Sequence, residues 1–132
     1  MVIANGIFKV LKETDLLIVS PTRDLRELDF QAIERAAGKV FESLKQDHAK
    51  HVIIDLSDTD YYGSTALGFF VKLWKRVRDH GGKMAFCNMS AHELEVLEVT
   101  KLDTLWPLCE NRKAAIEAIR SAGDEKVCVT SG

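Results

Sequence analysis

One short segment limits the folds open to this chain more than any other. His51-Val-Ile-Ile-Asp-Leu56 is an apolar, largely β-branched run without alternation. A strand with one wet face alternates apolar and polar side chains. A run like this one belongs to a strand covered on both faces or lying mid-sheet. A polar loop follows, and then Thr65 to Asp79, where Leu67, Phe70, Val71, Trp74 and Val77 or Arg78 share one side of a helix. A buried strand feeding an amphipathic helix is half of a β-α-β unit, which implies a right-handed crossover and parallel neighbours.

The rest of the chain repeats this grammar. Ile7–Leu11 and Leu16–Ser20 read as strands joined by Lys12-Glu-Thr-Asp15, a hairpin that Pro21 ends. Asp29 to Gln46 reads as a helix with Asp29 as N-cap, because Ile33, Ala36, Ala37, Val40, Phe41 and Leu44 recur at three- and four-residue steps. Gly38 interrupts that helix for no reason visible in the sequence. Gly81-Gly82 supplies a left-handed C-cap for the second helix, and Lys83–Cys87 is the next strand. Ser90-Ala-His-Glu93 is a capping box that opens a third helix to about Val99. Leu105–Cys109 reads as a short last strand and Asn111–Ala122 as a fourth helix, with Gly123 as its stop. The expected order is β-β-α-β-α-β-α-β-α: an α/β fold with a mixed, mostly parallel sheet, an antiparallel N-terminal hairpin and about four helices. Periodicity does not decide whether the helices cover one face or both. Residues 1–122 are expected to form one domain and 123–132 a loose tail, in which Val127-Cys-Val129 offers a further edge strand.

Composition narrows the function classes. A chain of 132 residues buries roughly two-thirds of its unfolded surface and can hold one core without staples. A net charge of −2 lacks the basic stripe of a nucleic-acid binder. The apolar stretch Ala66–Val71 falls far short of the roughly 20 residues that cross a bilayer, and the N-terminus shows no secretory pattern. Cys87, Cys109 and Cys128, with no Cys-x-x-Cys spacing, read as three reduced thiols in a cytoplasmic protein, two of them on buried strands.

The chemistry, if any, belongs in the loop Asp55-Leu-Ser-Asp-Thr-Asp-Tyr-Tyr-Gly-Ser-Thr65, beyond the carboxyl end of a central strand. Several readings of it fail. A calcium loop counted from Asp58 has Asp60 and Gly63 in place but Tyr62 at the fifth position and Phe69 at the twelfth. Gly63 and Gly68 have the gap of a phosphate-binding loop, but Phe69 and Phe70 stand where Lys and a hydroxyl are required. Gly63-Ser-Thr-Ala-Leu is no nucleophile elbow. His48 and His51 read as solvated residues ahead of a strand rather than a metal pair. Asp55-Leu-Ser-Asp-Thr59 faintly matches an Asp-x-Asp-x-Thr phosphohydrolase, but Ser57 replaces the second carboxylate. No enzyme, metal or cofactor is expected. Ser64 has a sufficient role as a helix cap; Thr65, at the first helical position, does not need its hydroxyl there.

Val52-Ile-Ile-Asp-Leu-Ser57 followed by Gly63-Ser-Thr-Ala-Leu-Gly68 resembles the signature of the STAS domain family, the anti-sigma factor antagonists. Gly81-Gly-Lys-Met-Ala-Phe86, Val96-Leu-Glu-Val-Thr-Lys-Leu-Asp103 and the Ala114–Ala115 helix are similar to further family stretches, so the resemblance covers about residues 5–122. It implies a partner switch. An unphosphorylated antagonist binds an anti-sigma factor that is also a serine/threonine kinase of the histidine-kinase-like ATPase class, and the kinase phosphorylates the second hydroxyl of the motif. That position is Thr65, with Ser64 as second choice. The implied partner-binding residues are Asp58, Asp60, Tyr62, Gly63, Ser64 and Thr65, with Tyr61 expected to be buried and Tyr62 placed on either side. Gly63 stands where the signature has Asp, and Ala66 where it has Gly. The alternative is a STAS docking subunit of a stressosome or lipid-transport assembly, without phosphorylation. Neither reading involves nucleic acid or membrane, and self-association into a homodimer is left open.

Overall fold

Turn chemistry sets up the first strand pair. Thr14 takes a left-handed φ of 51° and, with Asp15, reverses the chain between β2 (Phe8–Glu13) and β3 (Leu16–Pro21), which pair antiparallel from Glu13 opposite Leu16 to Phe8 opposite Pro21. The computed structural model, which describes residues 2–4, 6–46 and 48–121, adds a strand the sequence reading does not foresee. β1 (Val2–Ala4) pairs antiparallel on the outer edge of β2; three residues are too few for alternation to register.

From β3 onward the sheet is parallel. β4 (His51–Asp55) lies beside β3, β5 (Met84–Cys87) beside β4, and β6 (Leu108–Cys109) beside β5. The six strands therefore sit in sequence order, with β4 inside the sheet. Four helices connect or follow them: α1 (Phe30–Gln46), α2 (Ser64–Asp79), α3 (Ala91–Val99) and α4 (Arg112–Arg120).

The non-alternating runs are buried on both sides, as expected. Leu17, Val19, Val52, Ile54, Met84 and Phe86 point toward α1, α2 and α3, in a core rich in aromatics that includes Phe69, Phe70 and Trp106. Leu16, Ile18, Ile53, Ala85, Cys87 and Cys109 point the other way, onto Ala115, Ala118 and Ile119 of α4. Helices thus cover both faces, three on one and one on the other. Cys87 and Cys109 are both buried, and burial pushes the Cys87 thiol up to about 12. Cys128, Gly123 and the Val127–Val129 segment lie outside the described residues.

Several element ends differ from expectation. Asp29 is not an N-cap: it closes a single 3₁₀ turn, Glu27–Asp29, that leads into α1. The last strand is only Leu108–Cys109, because Leu102–Thr104 forms a second 3₁₀ turn ahead of it. His51 is not a solvated loop residue. It opens β4, is buried, and its Nδ1 accepts the Lys83 N–H at 2.9 Å. The glycines after α2 do serve as read: Gly81 has φ +76°, and a Cβ on Gly82 would run into the Lys50 carbonyl.

Candidate functional site

The loop after β4 is anchored before it becomes accessible. At the strand end, Asp55 is buried with both carboxylate oxygens engaged. Oδ2 accepts the Arg112 Nε–H at 2.6 Å, while Oδ1 accepts from Asn88 at 2.9 Å and from the Ser57 amide at 3.0 Å. Burial alone would raise this carboxyl; the hydrogen bonds from Asn88, Arg112 and Ser57 outweigh it and hold it below the usual carboxylate range. An Asp so fully committed to tying β4, β5 and α4 together has no free oxygen for nucleophilic work.

Thr59 is the next fixed point. Its Oγ1 lies 3.1 Å from Asp24 Oδ1, 3.0 Å from the Tyr61 carbonyl and 3.4 Å from Glu93 Oε2, and it accepts the Tyr61 N–H at 3.3 Å. Asp24 also accepts the Asp60 amide at 2.9 Å. That bond first, and then the Thr59 hydroxyl, keep the Asp24 carboxyl below its usual range against a desolvation that works the other way. Glu93 is fully buried, and burial pushes its carboxyl up to about 7. One hydroxyl hydrogen cannot serve all three oxygens at once, so the Thr59 hydroxyl is shared among Asp24, the Tyr61 carbonyl and Glu93.

Tyr61 overturns its expected burial, and Tyr62, left open by the sequence, takes the inward side. Tyr62 is the buried one, 2% exposed, with its hydroxyl donated to the Glu93 carbonyl at 2.6 Å. It is therefore not available as a surface contact. Tyr61 lies at the surface, stacked on His92 with ring centroids 5.5 Å apart, its hydroxyl donated to Glu27 Oε1 at 2.8 Å. The reason is an isolated parallel bridge between Leu25 and Tyr62, in which the Leu25 amide bonds the Tyr61 carbonyl and the Gly63 amide bonds the Leu25 carbonyl. This bridge turns residue 62 inward and residue 61 outward.

At the end of the loop stand the two hydroxyls. The N-cap of α2 is Gly63, so Ser64 is not the cap but the first helical residue, and no side chain of the cap bonds the helix. Ser64 is exposed and Thr65 half-buried. Among the described residues neither hydroxyl has a hydrogen-bond partner within the protein. Both border an open groove of about 470 Å³ between α1 and α2, where Gly38 and Gly68 leave open space and Glu34 and Lys72 supply charge. Asp58 and Asp60 are exposed; Gly63 is buried beneath Glu27. Of the residues singled out in the sequence, Asp58, Asp60 and Ser64 are exposed and Thr65 is half-buried, whereas Tyr62 and Gly63 are buried. Glu27, Asp24 and Tyr61, which sequence reasoning did not place in the site, are joined to it by contacts across more than thirty residues that no local pattern announces. Among the described residues no group of three His, Cys, Asp or Glu side chains is placed to hold a metal ion, and no helix is long and apolar enough to cross a membrane.

This arrangement presents two hydroxyls, without a partner among the described residues, at a helix start beside a groove that carries Glu34 and Lys72. Comparisons with known proteins agree with the layout. A family model described as the STAS domain matches residues 9–115. BtrV of Bordetella bronchiseptica, named as an anti-sigma factor antagonist, is 29% identical over 73 residues, 55% of this chain and 63% of that protein. The chain thus spans less than two-thirds of that relative's length. Among solved structures, an anti-sigma-factor antagonist (STAS) domain protein from Planctomyces limnophilus superposes with a TM-score of 0.76 at 29% identity, covering 86% of this chain and 98% of that one. The anti-sigma factor antagonist SpoIIAA in its unphosphorylated form gives 0.71 at 17% identity, covering 89% and 99%. The phosphorylated form of the Bacillus protein gives 0.64 at 18%, covering 86% and 99%. At that identity the two SpoIIAA structures speak for the fold alone.

Proposed function

This chain belongs to the STAS-domain family, and from that premise we propose that it is an anti-sigma factor antagonist, acting in the cytoplasm as the substrate and binding partner of a serine/threonine-kinase anti-sigma factor. The observation that carries this reading is the pair of hydroxyls, Ser64 and Thr65, without a partner among the described residues, on the first turn of α2 beyond the end of an interior strand. A phosphate on Thr65 would add about −1.5 to −2 charges. The free amides and the positive end of the helix dipole would accommodate it, so the fold survives modification. Asp58 and Asp60 are exposed on the same loop, and the added charge changes the surface that a partner of the unmodified protein binds. Support also comes from the names of the relatives, and from SpoIIAA, which exists in unphosphorylated and phosphorylated forms on this same fold. No catalytic group of this chain takes part: the kinase transfers the phosphoryl group from ATP to the hydroxyl oxygen.

The test is mass spectrometry after incubation with ATP and the purified cognate kinase, its activity shown on another substrate. A phosphate-sized gain is expected on the wild type, lost in Thr65→Ala and kept in Ser64→Ala. Loss in Ser64→Ala alone moves the acceptor to the more exposed neighbour. No gain on the wild type overturns phosphorylation control, and co-purification with a transporter ATPase or a sensor instead of a kinase favours a fixed docking subunit.

A further inference from the structure

Residue 63 does not need glycine for its backbone. Its φ of −101° and ψ of −169° are extended values open to any residue. What excludes a side chain is Glu27. A Cβ on Gly63 would lie 2.5 Å from both Cγ and Oε1 of Glu27 and 2.8 Å from its Cδ. The end of a flexible side chain ordinarily swings aside, but this one is held. Tyr61 donates its hydroxyl to Oε1 at 2.8 Å, and the Tyr61 ring is itself braced on His92. The segment carrying Glu27 is tied to the loop by the two backbone hydrogen bonds of the Leu25–Tyr62 bridge, of 3.0 and 2.8 Å. Among the described residues no salt bridge neutralises the carboxylate.

The Glu27 carboxylate therefore occupies the side-chain position of the α2 N-cap, a place where a helix favours negative charge and where this helix has no capping side chain of its own. It is also the position at which the signature resembled by Gly63–Gly68 carries Asp. We propose that Glu27 supplies, from the turn ahead of α1, the carboxylate that residue 63 lacks, and that a phosphate on Ser64 or Thr65 meets this fixed negative charge at the start of α2. This deepens the partner-switch reading and rests on it. Glu27 is here a positioning residue: it touches neither ATP nor the transferred phosphoryl group.

The test uses the full chain with phosphothreonine installed at position 65, and separately phosphoserine at 64, by codon reassignment. Neither kinase nor partner is needed. The second ionisation of the phosphate is followed by ³¹P NMR across pH. Removal of the neighbouring charge in Glu27→Gln is expected to lower its midpoint by about 0.5 in pH, and moving the carboxylate back in the double variant Glu27→Gly/Gly63→Asp restores it. A midpoint in Glu27→Gln equal to wild type at both positions overturns the proposal, whatever a kinase assay later shows. Thermal unfolding supplies the second arm. Gly63→Ala should lower the midpoint in the wild-type background and lower it less in Glu27→Gly; equal losses in both would mean that Glu27 is not the obstacle, and would also overturn it.

Discussion

Two helices start at the same rim of the sheet, each with a serine at its opening, and they are built in opposite ways. At α3, Ser90 Oγ accepts the Glu93 amide at 3.1 Å, Glu93 Oε1 accepts the Ser90 amide at 2.9 Å, and the Ser90 hydroxyl donates to the Asp60 carbonyl at 3.0 Å. The capping side chains and the Ser90 amide are all paired. At α2 the N-cap is a glycine, and the hydroxyls of Ser64 and Thr65 bond nothing among the described residues. α4 sides with α3, since Asn111 accepts the Ala114 amide at 2.9 Å. A saturated helix start holds the loop in shape; an unsaturated one leaves its donors and acceptors for something else. Departures from local consistency concentrate where a protein acts, and of these three openings only α2 departs.

The contrast is broken most strongly at Glu93. Its carboxyl stays protonated in the folded chain up to about pH 7 because burial disfavours the anion, against the usual 4.5. The folded state thus holds an extra proton between those values, and stability falls as pH rises through that window and levels off above it. The full drop is about 3 kcal/mol. Glu93→Gln preserves the capping box and donates an N–H toward Thr59 without a charge. In urea melts from pH 4.5 to 8, the variant should lose the wild-type slope and become the more stable protein at pH 8. An unchanged slope would remove Glu93 as its source.

The capping box itself comes next. Ser90→Ala removes the N-cap acceptor and the bond to Asp60, and should cost about 1–2 kcal/mol at any pH, measured by thermal unfolding. Ser90→Thr should recover most of it. A loss below about 0.3 kcal/mol would mean that α3 is held by its buried Leu94 and Leu97 rather than by its cap.

How much of this could be read from the sequence follows the range of the interactions. The box at Ser90–Glu93, the glycine stop at Gly81 and the doubly covered run at His51–Asp55 are local patterns, and all three stand in the structure. The element order came through except for β1, whose pairing with β2 depends on a partner strand rather than on its own three residues. The loop after β4 stands where the sequence puts it, but its fine structure is not readable there. Which tyrosine turns inward is decided by the bridge to Leu25, and the fit of Glu27 over Gly63 spans the whole of α1. Gly63 looked like a lost Asp; with coordinates, its bare Cα makes room for a carboxylate from elsewhere. Ser64 looked like a cap because serine caps helices, and only the backbone shows the cap one residue earlier.

The smallest expected effect is the one that separates the two openings most sharply. Ser64→Ala and Thr65→Ala remove hydroxyls that hold nothing within the described protein, and neither side chain is fully buried. Each should change stability by less than about 0.5 kcal/mol, in contrast to the loss at Ser90. Alanine is the better helix former at both positions, which offsets the little that is removed. A loss of 1 kcal/mol or more in Thr65→Ala would show that its hydroxyl is structural after all, and would make α2 a second α3. Near-neutrality in denaturant melts, together with loss of phosphate acceptance in Thr65→Ala, would show a hydroxyl whose position is set by the fold but whose chemistry the fold does not use.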